Sequence, residues 1–144
     1  MKKLGIMVLA CCIIVAASIT QTTATKVQQT GVGNAERGKK IYAKECLSCH
    51  QADGGGVPRL NPPLSESSWV VGDKKKIIQI VLNGMADRIP IDGEYYSNTM
   101  ASHSKLTDQQ IADVLTYVRT NFGNKASAVT AAEVKAVRTP KKKK

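Results

Sequence analysis

The sequence predicts an all-α domain whose helices are separated by long irregular loops. Three observations carry that prediction. Two capping boxes, Thr107-Asp108-Gln109-Gln110 and Thr130-Ala131-Ala132-Glu133, each open a run of apolar residues at helical spacing. No stretch of useful length alternates apolar and polar residues as a strand would. Two aperiodic segments, 52–72 and 85–106, are punctuated by Gly54-Gly55-Gly56, Pro58 and Pro62-Pro63 in the first and by Pro90 and Asp92-Gly93 in the second.

Taken in order, the chain of 144 residues begins with Lys2 and Lys3 and an apolar or small run from Leu4 to Ile19, followed by small and polar residues to Ala24. That is the pattern of an export signal over 1–24, cleaved near Ala24 or kept as an anchor. Residues 25–33 read as a flexible leader. Asn34 caps a first helix running through Ile41 and Tyr42 toward Cys46. Asp73 caps a second, carrying Ile77, Ile78, Val81 and Leu82 and ended by Gly84. The Thr107 box opens the clearest helix, with Ile111, Val114, Leu115 and Val118 on one face. The Thr130 box opens a short helix through Val134 and Val137, within an extension over 125–139. Pro140 ends it, and Lys141 to Lys144 form a solvated tail.

Composition narrows what this chain can be. Six aromatic residues serve the whole length. A domain this small buries only ~60–70% of its unfolded surface, so it gains from a further stabilising element. The formal net charge of +10 fits an acidic partner or an anionic surface. Nucleic-acid binding is disfavoured, because the chain reads as exported and no aromatic platform interleaves with the basic residues. Removal of 1–24 leaves Cys46 and Cys49 as the two cysteines of the exported chain. In an oxidising compartment such a pair serves as a disulfide, a metal site or a cofactor anchor.

Cys46-Leu47-Ser48-Cys49-His50 is a C-x-x-C-H sequence, the attachment signature of a c-type haem. Two thiols one helical turn apart reach the two vinyl groups on one edge of a porphyrin, and the adjacent imidazole comes under the ring to ligate the iron. The competing readings fit less well. A dithiol redox motif wants a βαβ pattern around it. A structural zinc site wants four ligands, and outside the signal only Cys46, Cys49, His50 and His103 are cysteine or histidine.

From about Asn34 to Asn124 the sequence resembles the class I monohaem cytochromes c of bacterial extracytoplasmic compartments. The features that carry the resemblance are Gly38 and Tyr42 before the Cys46–His50 motif, the Gly/Pro loop after it, and a methionine in the late loop. Leu106-Thr107-Asp108 opening the helix through Arg119 completes the set. The resemblance implies the cytochrome c fold, three to five helices around one covalent haem c, over a domain of 34–124. Gly38 becomes the small residue where the first and last core helices cross, with Tyr42, Val114 and Tyr117 around it. Cys46 and Cys49 hold the haem, and His50 is the proximal iron ligand. The carbonyl of Pro62 orients that histidine, with Pro58 and Pro63 as fallbacks. Met100 is the sixth ligand, a thioether that favours Fe(II) and raises the potential. In the family a proline usually follows this methionine; here Ala101 does. Met85 and His103 are the other candidates for the sixth position.

This reading makes the protein a one-electron carrier rather than an enzyme, exported to the periplasm or another extracytoplasmic site. It works as a monomer or weak oligomer between redox partner proteins, with Lys39, Lys40, Lys44, Lys74, Lys75 and Lys76 meeting acidic docking surfaces. Membrane association runs through the N-terminus if that segment is kept. Two alternatives stand beside it. Trp69-Val70-Val71-Gly72-Asp73 and Asn121-Phe122-Gly123-Asn124 resemble haem modules of quinoprotein dehydrogenase complexes, and a vacant sixth position would make the chain a haem-based ligand sensor.

Overall fold

The computed structural model describes residues 31–88 and 90–138; the export segment, most of the leader and the lysine tail lie outside the described residues. Among the described residues six helices follow one another: α1 (Ala35–Glu45), α2 (Leu47–His50), α3 (Ser68–Val71), α4 (Lys74–Asn83), α5 (Asp108–Thr120) and α6 (Ala131–Arg138). Among the described residues there are isolated β-bridges but no strand. The count exceeds the three to five helices expected, because α2 and α3 are single turns of four residues. A segment that short has no periodicity to read, so 52–72 looks like unbroken loop in the sequence.

The four longer helices start where their caps dictate. The Asn34 side chain accepts from the Arg37 N–H, and that of Asp73 from the Lys75 N–H. Both reciprocal bonds of the Thr107–Gln110 box are made. At α6 the Thr130 N–H donates to the Glu133 carboxylate and the Glu133 N–H to the Thr130 hydroxyl. Gly84, at φ +74, ends α4.

Packing is organised by the crossing of α1 over α5. A Cβ on Gly38 would stand 2.1 Å from the Asp113 carbonyl oxygen and 2.7 Å from the Tyr117 Cβ, so only glycine allows this approach. Tyr42, one turn on, is buried and packs its ring 5.5 Å from Tyr117 and 5.2 Å from Phe122. These separations suit tilted aromatic pairs. The crossing is also charged. Asp113 is 2% exposed and accepts from the Asn34 N–H at 2.7 Å, from Arg37 at 2.6 and 2.8 Å, and from Gln109 at 2.9 Å. Burial pushes the Asp113 carboxyl up, but the bonds from Arg37, Asn34 and Gln109 win and hold it below the ordinary carboxylate value.

The C-terminal segment belongs to the core. Val129 and Val134 are fully buried. The Val129 carbonyl accepts from Gly33, and Thr116 exchanges hydrogen bonds with Val129. Lys74 pairs with Glu133 at 3.0 Å, and Arg138 with Asp108 at 2.7 Å.

Gly38→Ala should cost about 1–3 kcal/mol or more, since the added methyl meets backbone rather than a movable side-chain end. Denaturant unfolding of the haem-bearing protein measures it. The Asp113 carboxyl gives a signed pH dependence. Its folded-state pKa lies below the unfolded one, so its stabilisation is complete above about pH 4 and drains as pH falls through the folded value. Asp113→Asn should therefore lower stability most at neutral pH, with the gap to wild type closing in acid. An equal gap at every pH would show that the carboxylate charge contributes nothing.

Candidate functional site

Between α4, α5 and the two long loops lies a cavity of about 340 Å³, walled mainly by apolar side chains that include Leu64, Val70, Ile77, Val114 and Val118. Cys46, Cys49 and His50 line it together. Their arrangement is set by α2, which begins directly after α1: Cys46 ends the first helix with its N–H on the Tyr42 carbonyl, and its own carbonyl receives the N–H groups of Cys49 and His50. Gln51 then turns the chain away at φ +63, and the Tyr42 hydroxyl holds the Gln51 carbonyl at 2.6 Å.

His50 is 8% exposed, and its Nδ1 lies 3.0 Å from the Pro62 carbonyl oxygen. That contact gives Nδ1 the proton and leaves Nε2 with a free lone pair. Burial holds the imidazole pKa below its ordinary value against the opposing pull of the Pro62 carbonyl. That direction favours the neutral ring, the form a metal requires. Gly56 makes the loop geometry available: its φ is +67, and a Cβ there would lie 2.4 Å from the Asn61 carbonyl oxygen and 2.7 Å from that of Pro62. Burial, with Glu45 beside it, pushes the free Cys46 thiol up to about 11.

Met100 lines the same cavity, and so do Met85 and His103. His103 sits 3.8 Å from Glu45. Trp69 is a further wall residue, with the Lys76 ammonium 3.2 Å from its ring centroid, a cation–π contact.

Sequence reasoning missed three polar residues that hold the walls. Arg119 is 3% exposed and donates to the carbonyls of Val70, Val71, Gly72 and Ser127, tying α3 to α5. A signal for it was present: Arg119 falls four residues after Leu115, on the apolar stripe of α5, where a solvated arginine would not be placed. Asp92 accepts from both hydroxyls of Ser67 and Ser68 and from the Ser68 N–H, so the late loop caps α3 from outside. Asn124 donates to the Leu64 and Val118 carbonyls, fixing the early loop to the end of α5. Neither of these two bears a local sequence signal, because their partners lie 24 or more residues away or across a chain reversal.

A small helical shell with two cysteines and a neutral, hydrogen-bonded histidine on one wall of an apolar cavity defines a c-type haem protein. Comparison with known proteins agrees. The sequence model of the family Cytochrome c matches residues 35–122. The chain is 40% identical over 104 residues to the cytochrome c subunit of alcohol dehydrogenase (quinone) from Gluconacetobacter polyoxogenes, covering 70% of this chain and 22% of that one. It is 35% identical over 113 residues to cytochrome c-552 of Thermus thermophilus, covering 72% and 86%. With the gluconate 2-dehydrogenase cytochrome c subunit of Pantoea cypripedii it shares 34% over 113 residues, covering 73% and 24%. The chain thus spans about a quarter or less of the dehydrogenase subunits it matches, but most of the cytochrome c-552.

This chain belongs to the cytochrome c family. Its cofactor is a covalently attached haem c.

Asp92→Ala should remove the external cap of α3 and lower stability by about 1 kcal/mol, the usual worth of a helix cap. Asp92→Asn should recover part of that loss by keeping an acceptor oxygen. Equal stability of all three proteins in denaturant would rule out the latch.

Proposed function

We propose that this protein is a diffusing one-electron carrier working outside the cytoplasm, with haem c held by thioethers to Cys46 and Cys49 and the iron between His50 and Met100. The observation that carries the site assignment is the 3.0 Å contact of His50 Nδ1 with the Pro62 carbonyl, on a buried ring at the wall that both thiols share. It fixes the tautomer that presents Nε2 to a metal, as partners of metal-bound histidines generally do. Bound haem supplies a reversible one-electron couple of iron. The chain's own residues do the rest. The thiols anchor, Pro62 orients the imidazole, the Met100 thioether fills the last coordination position, and the apolar walls keep water away.

The coordination chemistry favours a carrier. A thioether is a soft donor, and a His/Met pair raises the potential while leaving no open position for a small ligand. One-electron exchange asks no general base or nucleophile of the chain in this reading. Exposed Lys39, Lys40 and Lys44 on α1 and Lys75 and Lys76 at the start of α4 supply the positive charge that speeds encounter with acidic partner proteins. Export is supported by Lys2, Lys3 and the apolar run to Ile19. Among the described residues no helix is long and apolar enough to cross a membrane.

A second reading is favoured by the 40% identity to a dehydrogenase cytochrome subunit: the chain serves as the haem module of a larger complex. The two separate on salt. A carrier leaves its partner as ionic strength rises past the point where the Debye length drops below ~8 Å, whereas a fixed subunit co-purifies.

Redox titration of the exported holoprotein should give a one-electron wave at positive potential, with a sulfur-to-iron charge-transfer band in the ferric spectrum and no carbon monoxide binding at neutral pH. Cys46→Ser and Cys49→Ser should each leave the haem on one bond, and the double variant should release it to acidified organic solvent. A high-spin ferric haem, or ready carbon monoxide binding, would remove Met100 as ligand and make the protein a ligand sensor.

A further inference from the structure

The end of α4 and the late loop run antiparallel and are joined along their length. The His103 N–H donates to the Val81 carbonyl at 2.9 Å, and the Ser102 hydroxyl to the Leu82 carbonyl at 2.6 Å. Met85 and Met100 exchange both of their backbone hydrogen bonds, at 3.0 and 2.8 Å, as an antiparallel bridge. Gly84 permits the approach. Its φ is +74, and a Cβ there would stand 2.4 Å from the Met100 carbonyl oxygen and 2.9 Å from the Ser102 nitrogen.

Residues that exchange both bonds of an antiparallel pair stand directly opposite, with Cα atoms ~5.5 Å apart and side chains on the same face. Met85 and Met100 obey that rule, since both line the cavity that His50 lines and both are half-buried. The bridge therefore delivers two thioethers, side by side, to one cavity. Each is unbranched, with three rotatable bonds to adapt its reach. Ala101 follows Met100 and is exposed, so no proline ring fixes the backbone at that point. His103 lines the same cavity from outside this bridge, with its ring Nδ1 3.8 Å from the Glu45 carboxylate.

We propose that Met85 is a second axial donor, a thioether that takes the sixth coordination position whenever Met100 vacates it. The inference rests on the haem ligation proposed above. Its consequence is that withdrawal of Met100 leaves sulfur on the iron, so the potential stays positive and the iron stays closed to small ligands.

The test compares four haem-bearing proteins: wild type, Met85→Leu, Met100→Leu and the double variant, leucine being close to methionine in volume. The readouts are the ferric sulfur-to-iron charge-transfer band, the potential and the affinity for imidazole. Met100→Leu is expected to keep the band, displaced from its wild-type position, and a positive potential; Met85→Leu is expected to match wild type. The double variant should lose the band and bind imidazole tighter than either single variant by on the order of tenfold or more, because the open state is no longer a minor fraction. Loss of the band in Met100→Leu, with imidazole affinity equal to the double variant's, overturns the role of Met85 and leaves Met100 as ligand. Loss of the band in Met85→Leu alone overturns both assignments, as does a spectrum unchanged across all four proteins.

Discussion

The approach of Gly38 to the backbone of Asp113 is the constraint on which the other elements depend. It brings α1 and α5 into contact at the backbone, and everything between them in sequence must then close back on itself. The Cys46–His50 turn begins where α1 ends, and the late loop ends where α5 begins. The crossing thus fixes both borders of the cavity before any loop residue is considered. Asp113 reinforces it electrostatically by gathering Arg37, Asn34 and Gln109 on one buried carboxylate. A buried charge of this kind is tolerated because its lone pairs are satisfied from several directions.

The loops are held by side chains that reach carbonyls. Arg119 takes the exposed end of α3, Asn124 takes Leu64, and Asp92 takes the start of α3. Loops rich in glycine and proline leave backbone groups without helical partners, and buried ones must be satisfied by something. In this chain the satisfying groups come from distant elements, so the walls of the cavity are cross-linked to its frame. Most of the cavity wall can then stay apolar, which keeps the local dielectric low where a redox centre is tuned by axial ligands and burial.

Membership of the cytochrome c family makes the chain a haem c module, and the coverage of the relatives gives that module a scale. The match extends over most of a small cytochrome c-552 and over about a quarter or less of the dehydrogenase subunits. One haem module of this size serves either setting. The basic helix faces and the apolar cavity are properties of the module itself.

The helix starts, the class of fold and the C-x-x-C-H spacing are carried by local sequence, and so they were legible there. Asn34, Asp73, Thr107 and Thr130 each act on a backbone N–H two or three residues away, and C-x-x-C-H spans one turn. Gly38 and Tyr42 were legible through family resemblance. The single turns α2 and α3 were not, because four residues carry no period and α3 is held by Arg119 and Asp92 from other parts of the chain. The burial of Val129 and Val134 likewise depends on packing against α4 and α5, which makes core of what composition presents as an appended extension. The pairing of Met85 with Met100 is of the same kind. Nothing in either neighbourhood announces it, since register between segments fifteen residues apart is decided by backbone hydrogen bonds and by the space that Gly84 leaves.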